Sequence, residues 1–130
     1  MFETGKTQDD FDAETKLSLL KEVTVIRDKK INEGFPFKGK VIQADPISQS
    51  TARQYFVENM AGFCDFPVAW RTKDNEYIQL TNATDLQEFA FAMKIYVNEH
   101  YQASWVAKDN MKNASTMEEV QGIFDAYLKE

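Results

Sequence analysis

Apolar residues recur at helical spacing over most of the chain and switch to strict alternation in short stretches. The longest helical pattern follows Leu80. At 100° per residue, Leu86, Phe89, Ala90, Met93, Tyr96, Val97, His100, Ser104 and Ala107 fall on one broad face, and Gln87, Lys94, Asn98, Gln102 and Asp109 fall away from it. Thr84-Asp85-Leu86-Gln87 reads as its capping box, with Thr81 the rival cap one turn earlier. Phe91 and Ile95 break the pattern: they sit one turn apart on the far side, with Val106 nearby. A second apolar patch needs a second cover, either another segment of the chain or a partner.

Alternation predicts a hairpin just before this helix, with Val68-Ala69-Trp70-Arg71-Thr72 and Tyr77-Ile78-Gln79-Leu80 as its arms. A two-residue turn at Asp74-Asn75 would put Trp70 and Val68 on the face opposite Ile78 and Leu80. An odd turn, such as Asp74-Asn75-Glu76, gathers Val68, Trp70, Thr72, Ile78 and Leu80 on one face, the only register that buries the large apolar groups together. Such a loop needs one left-handed residue, and Asn75 tolerates that conformation.

The rest of the chain follows the same logic. A first helix is expected over Thr15 to Glu33, with Leu19, Leu20, Val23, Ile26 and Ile31 as its buried stripe and Gly34 ending it. Phe35-Pro36-Phe37, Lys38-Gly39 and Lys40-Val41-Ile42-Gln43 read as a small hairpin or extended pair turning at Gly39. Asp45-Pro46 opens a second helix that presents Ile47, Thr51, Tyr55 and Phe56 inward and runs to about Met60. Ser115-Thr116-Met117-Glu118 reads as a capping box for a last helix striped with Val120, Ile123, Phe124, Tyr127 and Leu128. The short turn at Asn113-Ala114 sends that helix back antiparallel along the long one. The expected class is therefore α+β: helices packed on a small antiparallel hairpin sheet, closed by an antiparallel helical hairpin.

Composition changes this picture mainly at the ends. The net charge is -6, yet residues 1–14 hold five acids and one lysine and residues 117–130 four acids and one lysine. The middle, with 13 basic and 12 acidic residues, is close to neutral. Residues 1–14 accordingly read as an acidic flexible arm, and residues 15–130 as a single domain. Acidic ends disfavour nucleic acid as a partner. No run approaches a membrane span, and Met1-Phe2-Glu3-Thr4-Gly5 does not read as a signal peptide.

Candidate chemistry is sparse. His100 and Ser104 share a helical face, but a serine on a regular helix lacks the strained turn that exposes a nucleophile. Cys64 is the one cysteine and has no second Cys or His at ligand spacing. Asp9, Asp10, Asp12 and Glu14 lack the glycine and distal glutamate of a calcium loop. No catalytic, cofactor-binding or metal-binding residue is expected.

Arg27, Gly34, Gly39, Asp45, Trp70, Asp74-Asn75 and Leu80-Thr81 together give a resemblance that runs from Arg27 to Phe124. Over that span the chain resembles a domain of unknown function recurrent in phage and prophage proteins, often encoded with or fused to tail-fibre genes. Asn75 stands where such domains usually carry glycine in the hairpin turn. The resemblance implies a non-enzymatic protein in the host cytoplasm or the virion tail. The first expectation is a tail-fibre accessory protein, a chaperone or adaptor for assembly or attachment. The alternative is a structural tail or baseplate component. Phe91, Ile95 and Val106 are the candidate partner-binding residues, facing either a tail-fibre protein or further copies of the chain.

Overall fold

A computed structural model describes residues 7–130. In order they form α1 (Gln8–Glu33), β1 (Phe35–Phe37), β2 (Lys40–Ile42), α2 (Pro46–Met60), β3 (Val68–Arg71), β4 (Tyr77–Leu80), α3 (Ala83–Asn113) and α4 (Met117–Leu128). The class is α+β, with two separate two-stranded antiparallel sheets, β1-β2 and β3-β4. Two compact units are present. One is Lys29–His100; the other joins the described residues up to Asp28 with Tyr101–Glu130.

Three helix starts, those of α1, α3 and α4, are fixed by side-chain caps, and all three differ from the sequence expectation. α1 begins at Gln8, not Thr15. The Asp10 amide donates to Thr7 Oγ1 (3.2 Å) while the Thr7 amide donates to the Asp10 carboxylate (2.9 Å), a reciprocal capping box. Residues 8–14, expected in the acidic arm, are therefore helical; residues 1–6 of that arm lie outside the described residues. At α3 the cap is Asn82, neither Thr84 nor Thr81. Its Oδ1 accepts from the Asp85 amide (2.9 Å), and the Asp85 carboxylate accepts from the Thr81 amide (2.9 Å). A charged carboxylate is a stronger acceptor than the Gln87 amide, which favours this register. At α4 the box shifts by one residue: Thr116 accepts from the Glu119 amide (3.1 Å), and Glu119 from the Ser115 amide (3.1 Å).

In the unit Lys29–His100, the second hairpin has the odd register. Val68 pairs with Leu80 and Trp70 with Ile78. Val68, Trp70, Thr72, Ile78 and Leu80 are all buried. The loop is Lys73-Asp74-Asn75, one residue earlier than expected, because the Thr72 amide donates to the Glu76 carbonyl (2.9 Å) and closes the turn there. Asn75 takes the left-handed conformation, φ 64°. The first hairpin turns through Lys38 and Gly39, both at positive φ (51° and 76°), the two-residue pattern that matches strand twist. Gly34 is required twice over: its φ is +94°, and a Cβ there would lie 2.3 Å from the Ile42 carbonyl oxygen.

Aromatic rings fill the space between hairpins and helix. Phe89, fully buried on α3, lies 4.7 Å from Trp70, 5.3 Å from Phe37 and 6.4 Å from Phe35, centroid to centroid. Tyr55 of α2 meets Trp70 edge-on at 6.2 Å. The carbonyls that end α1 are satisfied by side chains: Tyr96 Oη donates to Lys30, and Lys73 Nζ donates to Glu33 (2.9 Å). On α2, Pro46 occupies the first turn after Asp45 as expected. Ile47 corrects the expected stripe: it is 77% exposed, and Ala52 is the buried residue instead.

Lysines of the first hairpin bind carboxylates of the second and of α3. Lys40 Nζ donates to Asp74 (3.0 Å) and to Glu76, and Lys38 Nζ to Asp85 (3.1 Å). The Thr72 hydroxyl, and then Lys40, hold the Asp74 carboxyl at about 2. The Thr81 hydroxyl and amide, and then Lys38, hold Asp85 at about 2.

In the other unit, Val23 of α1, Ala107 and Met111 of α3, and Val120, Phe124 and Tyr127 of α4 form one apolar core. α3 and α4 pack as the expected helical hairpin. The Arg27 guanidinium lies over the Tyr101 ring at 4.2 Å, and Lys16 Nζ donates to the Lys112 carbonyl (2.9 Å) near the end of α3.

Two outcomes are expected. Trp70→Ala and Phe89→Ala should each cost about 3–5 kcal/mol in urea unfolding, since each empties an aromatic site that cannot collapse. Because Asp74 and Asp85 titrate lower folded than unfolded, their contribution is present above about pH 4 and lost as pH falls toward 2. Urea midpoints measured from pH 5 to pH 2 should therefore fall less steeply in a protein carrying Asp74→Asn and Asp85→Asn than in the wild type.

Candidate functional site

The surface to examine lies on α3, away from the face that Phe89 anchors. Leu86, Phe89 and Met93 are buried, as helical periodicity requires, and Phe91 and Ile95 project from the other side. Phe91 is 62% exposed and Ile95 44% exposed, one turn apart. Both belong to the unit Lys29–His100 and remain exposed there, Phe91 more than Ile95. Val106, the third expected residue, is 60% exposed and belongs to the other unit, so the described patch is Phe91 with Ile95.

Phe91 also edges a groove that sequence reasoning missed. Between α2 and α3 lies a cleft of about 300 Å³. Ala52, Phe56, Ala90 and Met93 contribute apolar lining, and Gln49 and Gln87 add amides. Arg53 of α2 and Lys94 of α3 bring two cations to it and no acid lines it. Neither cation has an ion pair or hydrogen bond among the described residues. On the other side of Phe91 a second, shallower depression is lined by Glu88, Ala92 and Ile95, so Phe91 stands as a ridge between two hollows. The sequence signal for the groove was two small residues, Ala52 on α2 and Ala90 on α3, which line it between larger side chains. That signal becomes readable only once α2 is known to lie beside α3.

The residues considered for chemistry have structural uses. Ser104 Oγ is buried and donates to the Tyr101 carbonyl (2.7 Å), the ordinary way a helix serine is satisfied. The His100 ring meets Tyr96 edge-on at 4.6 Å, and burial, with Lys30 second, lowers its pKa. Burial, with Glu58 and Asp65 after it, pushes the Cys64 thiol up, the opposite of an activated thiolate. Asp10 serves the α1 capping box, and Asp12 accepts from the Gln8 amide (3.0 Å). No group of three metal-ligating side chains converges among the described residues, and no described helix is long and apolar enough to cross a membrane.

The chain belongs to the family described as a domain of unknown function (DUF4376), whose model matches residues 14–127. No curated protein and no solved structure matches it.

Exposure of the ridge has a direct consequence for stability. Phe91→Asp with Ile95→Asp places both carboxylates in water, so the double variant should stay folded, with a helical circular dichroism spectrum and a urea midpoint close to wild type. Unfolding of this variant would show that the two residues belong to a core.

Proposed function

We propose that this member of the family is a non-catalytic accessory protein of phage tail-fibre assembly, a chaperone or adaptor that holds a fibre segment during assembly or attachment. The observation that carries the reading is the Phe91–Ile95 ridge: two large apolar side chains, adjacent, uncovered and bordering a groove, on a helix whose core face is already complete. Exposed apolar residues are common on protein surfaces, and the chain has others, Val57 and Met60 one turn apart near the end of α2 and Phe63 just beyond it among them. A ridge between two hollows differs from these because it offers shape as well as apolar area.

The chemistry supports binding over catalysis. The only histidine meets a tyrosine edge-on, burial pushes the only thiol's pKa up, and the one buried serine donates to backbone. The phage context comes from the resemblance of Arg27 to Phe124 to domains that accompany tail-fibre genes.

Tagged chain recovered from phage-producing cells should carry the tail-fibre protein, identified by mass. The folded Phe91→Asp, Ile95→Asp variant should lose it at least tenfold. Equal recovery by the variant, or no fibre protein on the wild type, overturns the reading. Finding the chain at stoichiometric amounts in purified virions would instead identify a structural tail component.

A further inference from the structure

The groove between α2 and α3 carries more information than the ridge beside it. Its lining is apolar, while its charged residues, Arg53 and Lys94, have one sign. Neither is neutralised within the described chain. Lys38 and Lys40, by contrast, are both taken up by carboxylates. A pair of cations left beside an apolar cleft is a complementary surface for a carboxylate next to an apolar anchor.

We infer that the α2–α3 groove binds an acidic amphipathic helical segment of a partner protein, whose apolar side chains enter the hollows on either side of Phe91 while an Asp or Glu meets Arg53 and Lys94. Three features select this occupant. A cleft of about 300 Å³ lies at the low end of ligand-pocket size and suits one or two large side chains. The second hollow, lined by Glu88, Ala92 and Ile95, flanks Phe91 on its other side over the same turns of α3. Two hollows on either side of a ridge match anchors spaced at i and i+3 or i+4, the spacing of helix-in-groove recognition. The lining amide of Gln87 adds a donor for the same carboxylates, while Gln49 Nε2 donates to the Ala44 carbonyl (2.7 Å).

This inference rests on the accessory-protein reading and names the chemistry of its partner. It is tested with a yeast-displayed library of random 16-residue peptides, selected on the immobilised full chain and on the Arg53→Glu, Lys94→Glu variant. Both altered side chains lie at the surface, so the variant should keep its circular dichroism spectrum. Wild type should enrich peptides with two apolar residues one turn apart and flanking Asp or Glu. The variant should enrich Lys and Arg in their place and bind a wild-type-selected peptide at least tenfold more weakly. Selection with no acidic preference, the same preference from both proteins, or acidic peptides that bind without apolar anchors each overturns the proposal. So does no enrichment at all. If the library shows no acidic preference while Phe91→Asp, Ile95→Asp still releases the fibre protein, the accessory function stands and only the acidic partner falls. If the charge swap succeeds and no fibre protein is ever recovered, the groove stands and the fibre assignment falls.

Discussion

The ring of Phe89 is the contact on which the unit Lys29–His100 is assembled. It meets Trp70 from the second hairpin and Phe35 and Phe37 from the first, all from one position on α3. Two strand pairs of three and four residues a strand are too short to hold themselves in water. What makes them persist is that each lays aromatic area on the same helix. The hydrogen bonds around them then select the register: the Lys73 amide donates to the Val41 carbonyl (2.9 Å), tying the loop of one hairpin to a strand of the other. Apolar contact supplies most of the free energy and the polar groups supply position.

The apolar periodicity of α3 was legible up to Ala107, since every residue assigned to its inner face is buried or half-buried and every one assigned outward is exposed; Met111, fully buried one turn further on, was left off the stripe. The hairpin parity was equally legible, because only one parity buries Trp70 with Ile78 and Leu80. Helix starts were harder. At α4, Ser115 and Thr116 could each cap and Glu118 and Glu119 could each reciprocate, so two boxes one residue apart read alike. At α1 the signal was present, Thr7 three residues before Asp10, but the acids around it suggested an arm. Phe11 and Leu17 are about half exposed, so the first turns of α1 gain more from capping and the dipole than from burial.

The surface was legible only in part. Phe91 and Ile95 announce themselves by falling off the helical stripe, a property of one helix alone. The groove belongs to two helices distant in sequence, and no single-helix pattern shows that Arg53 and Lys94 flank a common cleft. Ile47 failed for a related reason. Placed just after Pro46, it looked like the first residue of a buried stripe, yet the inward position at this end of the protein belongs to Ala44, which is fully buried.

The uneven distribution of charge along the chain has a colloidal consequence. An apolar cleft left open on a neutral protein invites self-association, because nothing opposes the encounter of two such surfaces. Here the excess of carboxylates sits at the ends of the chain, while the stretch carrying α2 and most of α3 is nearly balanced. Long-range repulsion between copies is thus supplied by residues remote in sequence from the groove. The groove can stay uncovered in a crowded solution without the chain needing to place acids inside it, where they would turn away the carboxylates it is shaped to receive.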